Sequence, residues 1–113
     1  IMYGAGRRLT PMDAGGKLLG FSMETDGSDI KYKSGSIPIS KGDRLILYTD
    51  GITEAYNPVL NEYFGDERFE KILMNEKCIE LGSAVDQVFF CVEQFMDGNE
   101  IEDDCNLVIA EFK

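Results

Sequence analysis

Gly42-Asp43-Arg44-Leu45-Ile46-Leu47-Tyr48-Thr49-Asp50-Gly51-Ile52-Thr53-Glu54-Ala55 strings together an acidic turn, an unbroken apolar and aromatic run, and a second acidic turn. The run from Leu45 to Tyr48 is short and continuous rather than alternating, so it reads as a strand covered on both faces. It stops at Asp50-Gly51, a carboxylate backed by a residue able to take a positive φ. Much later, Asp103-Asp104 precedes a second apolar run, Leu107 to Phe112. If the two strands are antiparallel neighbours, the end of the first and the start of the second share a sheet edge, and their carboxylates meet there. Oxygen donors gathered in this way suit Mg²⁺ or Mn²⁺. Asp-Gly is also ordinary turn chemistry, and Glu100 to Asp104 could be a solvated loop, so spacing alone leaves both readings open.

Outward from this stretch, Ile1 to Tyr3 reads as a short strand running into a Gly4-Ala5-Gly6 turn, and Asp26-Gly27 as an exposed turn. Ile30, Tyr32, Ile37 and Ile39 alternate with polar residues, predicting one or two half-buried strands interrupted at Ser34-Gly35 and limited by Pro38. After the loop with Asn57-Pro58, Asp66 can cap a helix carrying Phe69, Ile72 and Leu73 on one face. Ser83 can cap a second, whose Val85, Val88, Phe89, Val92, Phe95 and Met96 form an apolar stripe that reads as core, the other reading being a partner-binding face. Asp97-Gly98-Asn99 ends it. The order strand, strand, helix, helix, strand predicts an α+β domain with mainly antiparallel sheet.

Composition narrows the chemistry. The 113 residues fit one domain, and 43% hydrophobic content with seven Phe and five Tyr supports a core without staples. Twenty-one acidic against eleven basic residues give a net charge of -10, which repels phosphate backbones, so no nucleic-acid partner is expected. Cys78, Cys91 and Cys105 fit neither a disulfide framework nor a zinc site and read as small buried hydrophobes in a reducing cytoplasm. With no His, every imidazole-based mechanism is excluded. Gly16-Lys17 lacks the Ser or Thr of a phosphate-binding P-loop, and Asp26 to Asp29 lacks the spacing of an EF-hand. No apolar run approaches the length of a membrane span.

The run from Gly42 to Ala55, with Asn57, Phe64-Gly65 and Arg68 behind it, resembles the late motif of the SpoIIE/RsbU-type serine phosphatases, the bacterial branch of the metal-dependent PP2C (PPM) family. Asp103-Asp104-Cys105-Asn106-Leu107-Val108-Ile109 resembles that family's closing Asp-Asp-(Ile/Met)-Thr-Leu motif. Gly15-Gly16-Lys17-Leu18-Leu19-Gly20 resembles its Gly-Gly-x-Leu-Leu-Gly segment, and Tyr3-Gly4-Ala5-Gly6 its Tyr-Ala-Asn-Ala-Gly-His stretch. The matches follow family order across essentially the whole chain. Arg7 stands in place of the family's His and Asn106 in place of its Thr, and the span between Gly6 and Gly15 is short. The family's early Asp-Val-Ser-Gly-His-Gly motif has no counterpart. Residues 1–113 therefore resemble the C-terminal portion of a single PP2C-like domain, part of an α-β-β-α sandwich of antiparallel sheets flanked by helices.

The resemblance implies a protein serine/threonine phosphatase that uses a two-metal Mg²⁺ or Mn²⁺ centre and attack by a metal-activated water, with this fragment incomplete for catalysis by itself. Asp50 and Asp103 would be acidic ligands, with Asp104 beside the second; Glu54 would orient the loop after Asp50 or a water, the other reading being a solvated Glu early in a helical turn. The implied substrate is a phosphorylated regulatory protein, a STAS-type anti-sigma-factor antagonist, with a sensor or receiver domain upstream in the parent chain and a homodimer possible. The alternative is a degenerate PP2C-like module acting in protein interaction or oligomerisation.

Overall fold

The structure, a computed structural model, describes residues 2–5, 8–12, 34–75, 80–101 and 103–113. The predictions for residues 15–20 and 26–32, and for Cys78, lie outside these.

Strands β1 (Met2–Ala5), β2 (Arg8–Pro11), β3 (Arg44–Tyr48) and β6 (Leu107–Glu111) form a four-stranded sheet in the order β2-β1-β3-β6. All three pairings are antiparallel. The strand β2 escapes a pattern search because Arg8-Leu9-Thr10-Pro11 offers a single large aliphatic side chain and ends in Pro, tolerable on an edge strand where one side needs no ladder. Residues 34–40, expected to continue strand around Ile37 and Ile39, form no regular element. Pro38 removes a donor there, and Ser40 N–H is taken by the buried Asp43 carboxylate at 2.6 Å, starting the turn into β3.

In β3 and β6 the register pairs Ile46 with Ile109 and Tyr48 with Leu107 on one face, and Leu45 with Ala110 and Leu47 with Val108 on the other. Among the described residues, helices cover only the first. There α1 (Gly65–Leu73) supplies the fully buried Phe69, stacked at 4.7 Å on Tyr48, and α2 (Leu81–Met96) supplies Val88, Val92 and Met96. Burying Phe69 contributes about 1.5–3 kcal/mol over leaving it in water. The stripe on α2 is therefore core. On the other face Leu47 and Val108 are 38% and 56% exposed, so among the described residues the strand expected to be covered on both faces is covered on one. A continuous apolar run records two faces that avoid water, not what covers each of them.

Both predicted caps are displaced. Helix α1 starts at Gly65, with Asp66 and Glu67 in its first turn, where carboxylates favour the helix N-terminus through its dipole rather than by a capping hydrogen bond. Helix α2 starts at Leu81 after an extended Glu80, leaving Ser83 inside the first turn. Its end is as expected: Asp97 and Gly98 take φ of 51° and 84°. Between β3 and α1 a small hairpin, β4 (Tyr56–Asn57) and β5 (Glu62–Tyr63), rests on the end of α2. Asn57, 5% exposed, holds it there. Its Nδ2 donates to the Phe95 carbonyl at 2.5 Å, capping α2 from outside, while its Oδ1 accepts from Val59 and Leu60 N–H.

Candidate metal centre and adjoining cleft

The antiparallel β3–β6 pair brings the Asp50 loop and the Asp103-Asp104 loop to the same sheet edge, and Thr49 fastens the two. Its N–H donates to the Asn106 carbonyl at 3.1 Å, its Oγ1 donates to the Asp104 carbonyl at 2.6 Å, and that Oγ1 accepts from Asn106 N–H at 2.9 Å. Asn106 takes part through its backbone, which makes its departure from Thr immaterial to these bonds. Gly51 is buried directly against them. A Cβ at this position would sit 2.7 Å from the Asp104 carbonyl oxygen and 3.2 Å from Cys105 Sγ. Gly51 is not among the glycines with positive φ, so the reason for glycine is the closeness of the opposite backbone rather than the turn conformation expected for it.

The carboxylates ride on this fastened edge. The Asp50 carbonyl accepts from Glu54 N–H at 2.7 Å and from Thr53 Oγ1 at 3.2 Å, closing a turn that leaves the Asp50 side chain exposed. Asp103 Oδ1 accepts from Asp104 N–H at 2.7 Å, and both residues are exposed. Asp50, Asp103 and Asp104 are thus placed on one edge. Among the described residues, however, no group of three or more His, Cys, Asp or Glu side chains is arranged to hold a metal ion. The donor chemistry fits a hard divalent cation, and the donor number is incomplete among the described residues. The local field is negative: burial first, and then the charges of Asp103 and Asp104, push the Cys105 thiol above its ordinary value. Cys105 and Cys91 are free and half-buried.

A cleft of about 920 Å³ opens beside this edge, between the β4–β5 hairpin and the segment after α2, and reaches Asp103. Glu54 lines it too. The hairpin wall is stiffened: Tyr56 and Tyr63 rings lie 5.2 Å apart, and Tyr56 OH donates to Asn61 Oδ1 at 2.6 Å. Arg68 braces β5 from behind, donating to the Tyr63 and Phe64 carbonyls, pairing with Glu62 at 2.7 Å and lying 4.8 Å from the Phe95 ring centre. Sequence reading missed the roles of Thr49, Tyr56 and Tyr63; a Thr before an acidic turn and two Tyr in a polar loop have no periodicity to find.

No helix among the described residues is long and apolar enough to cross a membrane. No curated protein sequence matches the chain. Among solved structures, the phosphatase domain of the cell fate determinant SpoIIE from Bacillus subtilis is similar at TM-score 0.67 and 22% identity, over 98% of this chain and 46% of that one. Its Mn-presoaked form gives 0.66 and 21%, over 98% and 45%. The SiaA-PP2C domain of Pseudomonas aeruginosa gives 0.65 and 20%, over 74% and 34%. The chain thus shares the α+β fold of these domains and spans less than half the length of each. The family model described as Stage II sporulation protein E (SpoIIE) matches residues 1–113, and the chain belongs to that family of PP2C-like phosphatase domains.

Proposed function

We propose that the chain supplies one side of the active centre of a metal-dependent protein serine/threonine phosphatase. The observation that carries this reading is the fastening of the Asp50 and Asp103-Asp104 loops at one sheet edge by Thr49 and Gly51. Asp50 and Asp103 would each offer a carboxylate to a Mg²⁺ or Mn²⁺ pair, with Asp104 supporting the second. When bound, such a pair supplies a nucleophile at neutral pH and neutralises charge on the phosphoryl oxygens. The chain's own contribution is positional. The Thr49 hydroxyl fixes the Asp104 carbonyl, the turn from Asp50 to Glu54 directs the Asp50 side chain outward, and the absence of a Cβ at Gly51 lets the loops approach. The remaining ligands come from the part of the domain that the chain does not span. No imidazole is needed, in keeping with a chain that has no His.

The substrate in this reading is a phosphoseryl or phosphothreonyl regulatory protein of the bacterial cytoplasm, a STAS-type anti-sigma-factor antagonist, with a sensor or receiver domain preceding the phosphatase. The second reading, an interaction module that has lost catalysis, draws on the exposed Leu47 and Val108 on the open sheet face. Phosphate release from a phosphoseryl protein by the complete domain separates the two. The phosphatase reading expects release with Mn²⁺ and none after chelation, whereas no release under either condition would leave only the interaction module.

A further inference from the structure

The cleft beside Asp103 has a composition that points to a cation of a particular kind. Among the described residues its lining includes Glu54, Glu100 and Asp103 and no Lys or Arg. Its hairpin wall presents Tyr56 and Tyr63, 38% and 61% exposed, as rings whose relative tilt of 54° is set by their mutual contact. The buried Ala55 and Met96 add apolar lining. Aromatic faces beside carboxylates accept an organic cation, the rings taking the aliphatic stem and the charge together while the carboxylates fix the head. At about 920 Å³ the cleft is large enough for a few residues of an extended polypeptide.

We propose that this cleft seats the substrate polypeptide next to its phosphorylated residue and selects a Lys or Arg flanking the phosphoserine. The proposal rests on the phosphatase reading for the placement of the phosphate near Asp103, and on the cleft itself for the rest. Tyr56 and Tyr63 form its specificity wall. Their rings move little on binding because Asn61 and Arg68 already hold the hairpin, so little ordering entropy is lost. Glu100, on the segment after α2, lines the same space. Glu54 lies closer to the metal edge and adds to the acidic field.

The test is equilibrium binding to the complete domain, by anisotropy with Mn²⁺ present, of short fluorescein-labelled peptides that carry a non-hydrolysable phosphonate in place of the phosphoserine ester, so that turnover does not intervene. Two peptides differ only in carrying Lys or Glu beside the phosphonate. The Lys peptide should bind roughly tenfold more tightly. Glu100→Gln should narrow that ratio, and Tyr63→Ala should weaken the Lys peptide more than the Glu peptide. Equal affinities for the two peptides, or a ratio unchanged in both variants, overturn the proposal. Mn²⁺-dependent hydrolysis of p-nitrophenyl phosphate by the unmodified domain is measured alongside. This small ester carries no flanking residue for the cleft to select, so its turnover tests the phosphatase reading separately from the binding result.

Discussion

Gly51→Ala is the most informative single change in this chain, because two explanations of the glycine predict different outcomes. If Gly51 only terminated a strand, alanine would be accommodated and would stabilise by about 0.4–1 kcal/mol through the unfolded chain. The structure predicts the reverse sign. The added Cβ would lie 2.7 Å from the Asp104 carbonyl oxygen, where ordinary contact begins at 3.4 Å. The two backbones would then have to part by about 0.7 Å, overpacking of a kind that costs about 1–3 kcal/mol. Parting them also stretches the 2.6 Å bond from Thr49 Oγ1 to the same oxygen, so the damage reaches the placement of Asp103 and Asp104. Urea unfolding of the complete domain, followed by far-ultraviolet circular dichroism, measures the stability change. Gly82→Ala provides an internal control of opposite sign: it lies in the first turns of α2 with nothing within 4 Å, so alanine should stabilise by up to about 1 kcal/mol. A Gly51→Ala protein as stable as the parent, or more so, would refute the close-approach argument and with it the fastening of the two loops.

Thr49→Val should weaken Mn²⁺ binding while Thr49→Ser restores it, since only the hydroxyl bridges Asp104 and Asn106; isothermal titration calorimetry of the three proteins distinguishes this from a general loss of folding. Asn57→Ala should cost about 1–3 kcal/mol by leaving the Phe95 carbonyl and two hairpin N–H groups without their partner, read from the urea midpoint at constant slope. Phe69→Ala should cost about 3–5 kcal/mol, because a fully buried ring against Tyr48 is removed; a loss under 1 kcal/mol would mean that α1 does not pack on the sheet as described. Burial, then Asp66 and Glu70, hold the Tyr48 phenol above its ordinary value of 10.0. Below pH 10 folded and unfolded chains both keep that proton. Above it the unfolded chain releases first, so stability should fall as pH rises further, and Tyr48→Phe should flatten that fall; equal slopes in the two proteins would contradict it.

How much of this was written in the sequence depends on what each residue is asked to report. Phe69, Val88, Val92 and Met96 announce themselves by helical spacing, and the structure buries all four. Asp50 and Asp103-Asp104 are legible as strand ends, and the antiparallel pairing that places them on one edge, a condition of that reading, is supplied by the structure. Thr49 and Gly51 were legible as motif members, but their work is a contact between segments more than fifty positions apart, which no local pattern encodes. Leu47 and Val108 mark the opposite failure: the apolar run is real, yet only one of its faces meets a helix in the described structure. The helix caps lie two and three residues before Asp66 and Ser83, at Phe64 and Glu80, because side chains able to cap were present without being needed. Pro11 hid an edge strand, and Tyr56 and Tyr63 hid a cleft wall, since two-residue strands carry too few positions for alternation to register.

The central claim is that Asp50, held at the end of β3, is a ligand of the catalytic cations. Calorimetric titration of Mn²⁺ into the complete domain and into its Asp50→Asn variant tests it most directly, with circular dichroism confirming that the variant is folded. The account predicts that the parent binds Mn²⁺ and that the folded variant loses at least tenfold in affinity. Equal Mn²⁺ affinity in the two proteins would contradict it.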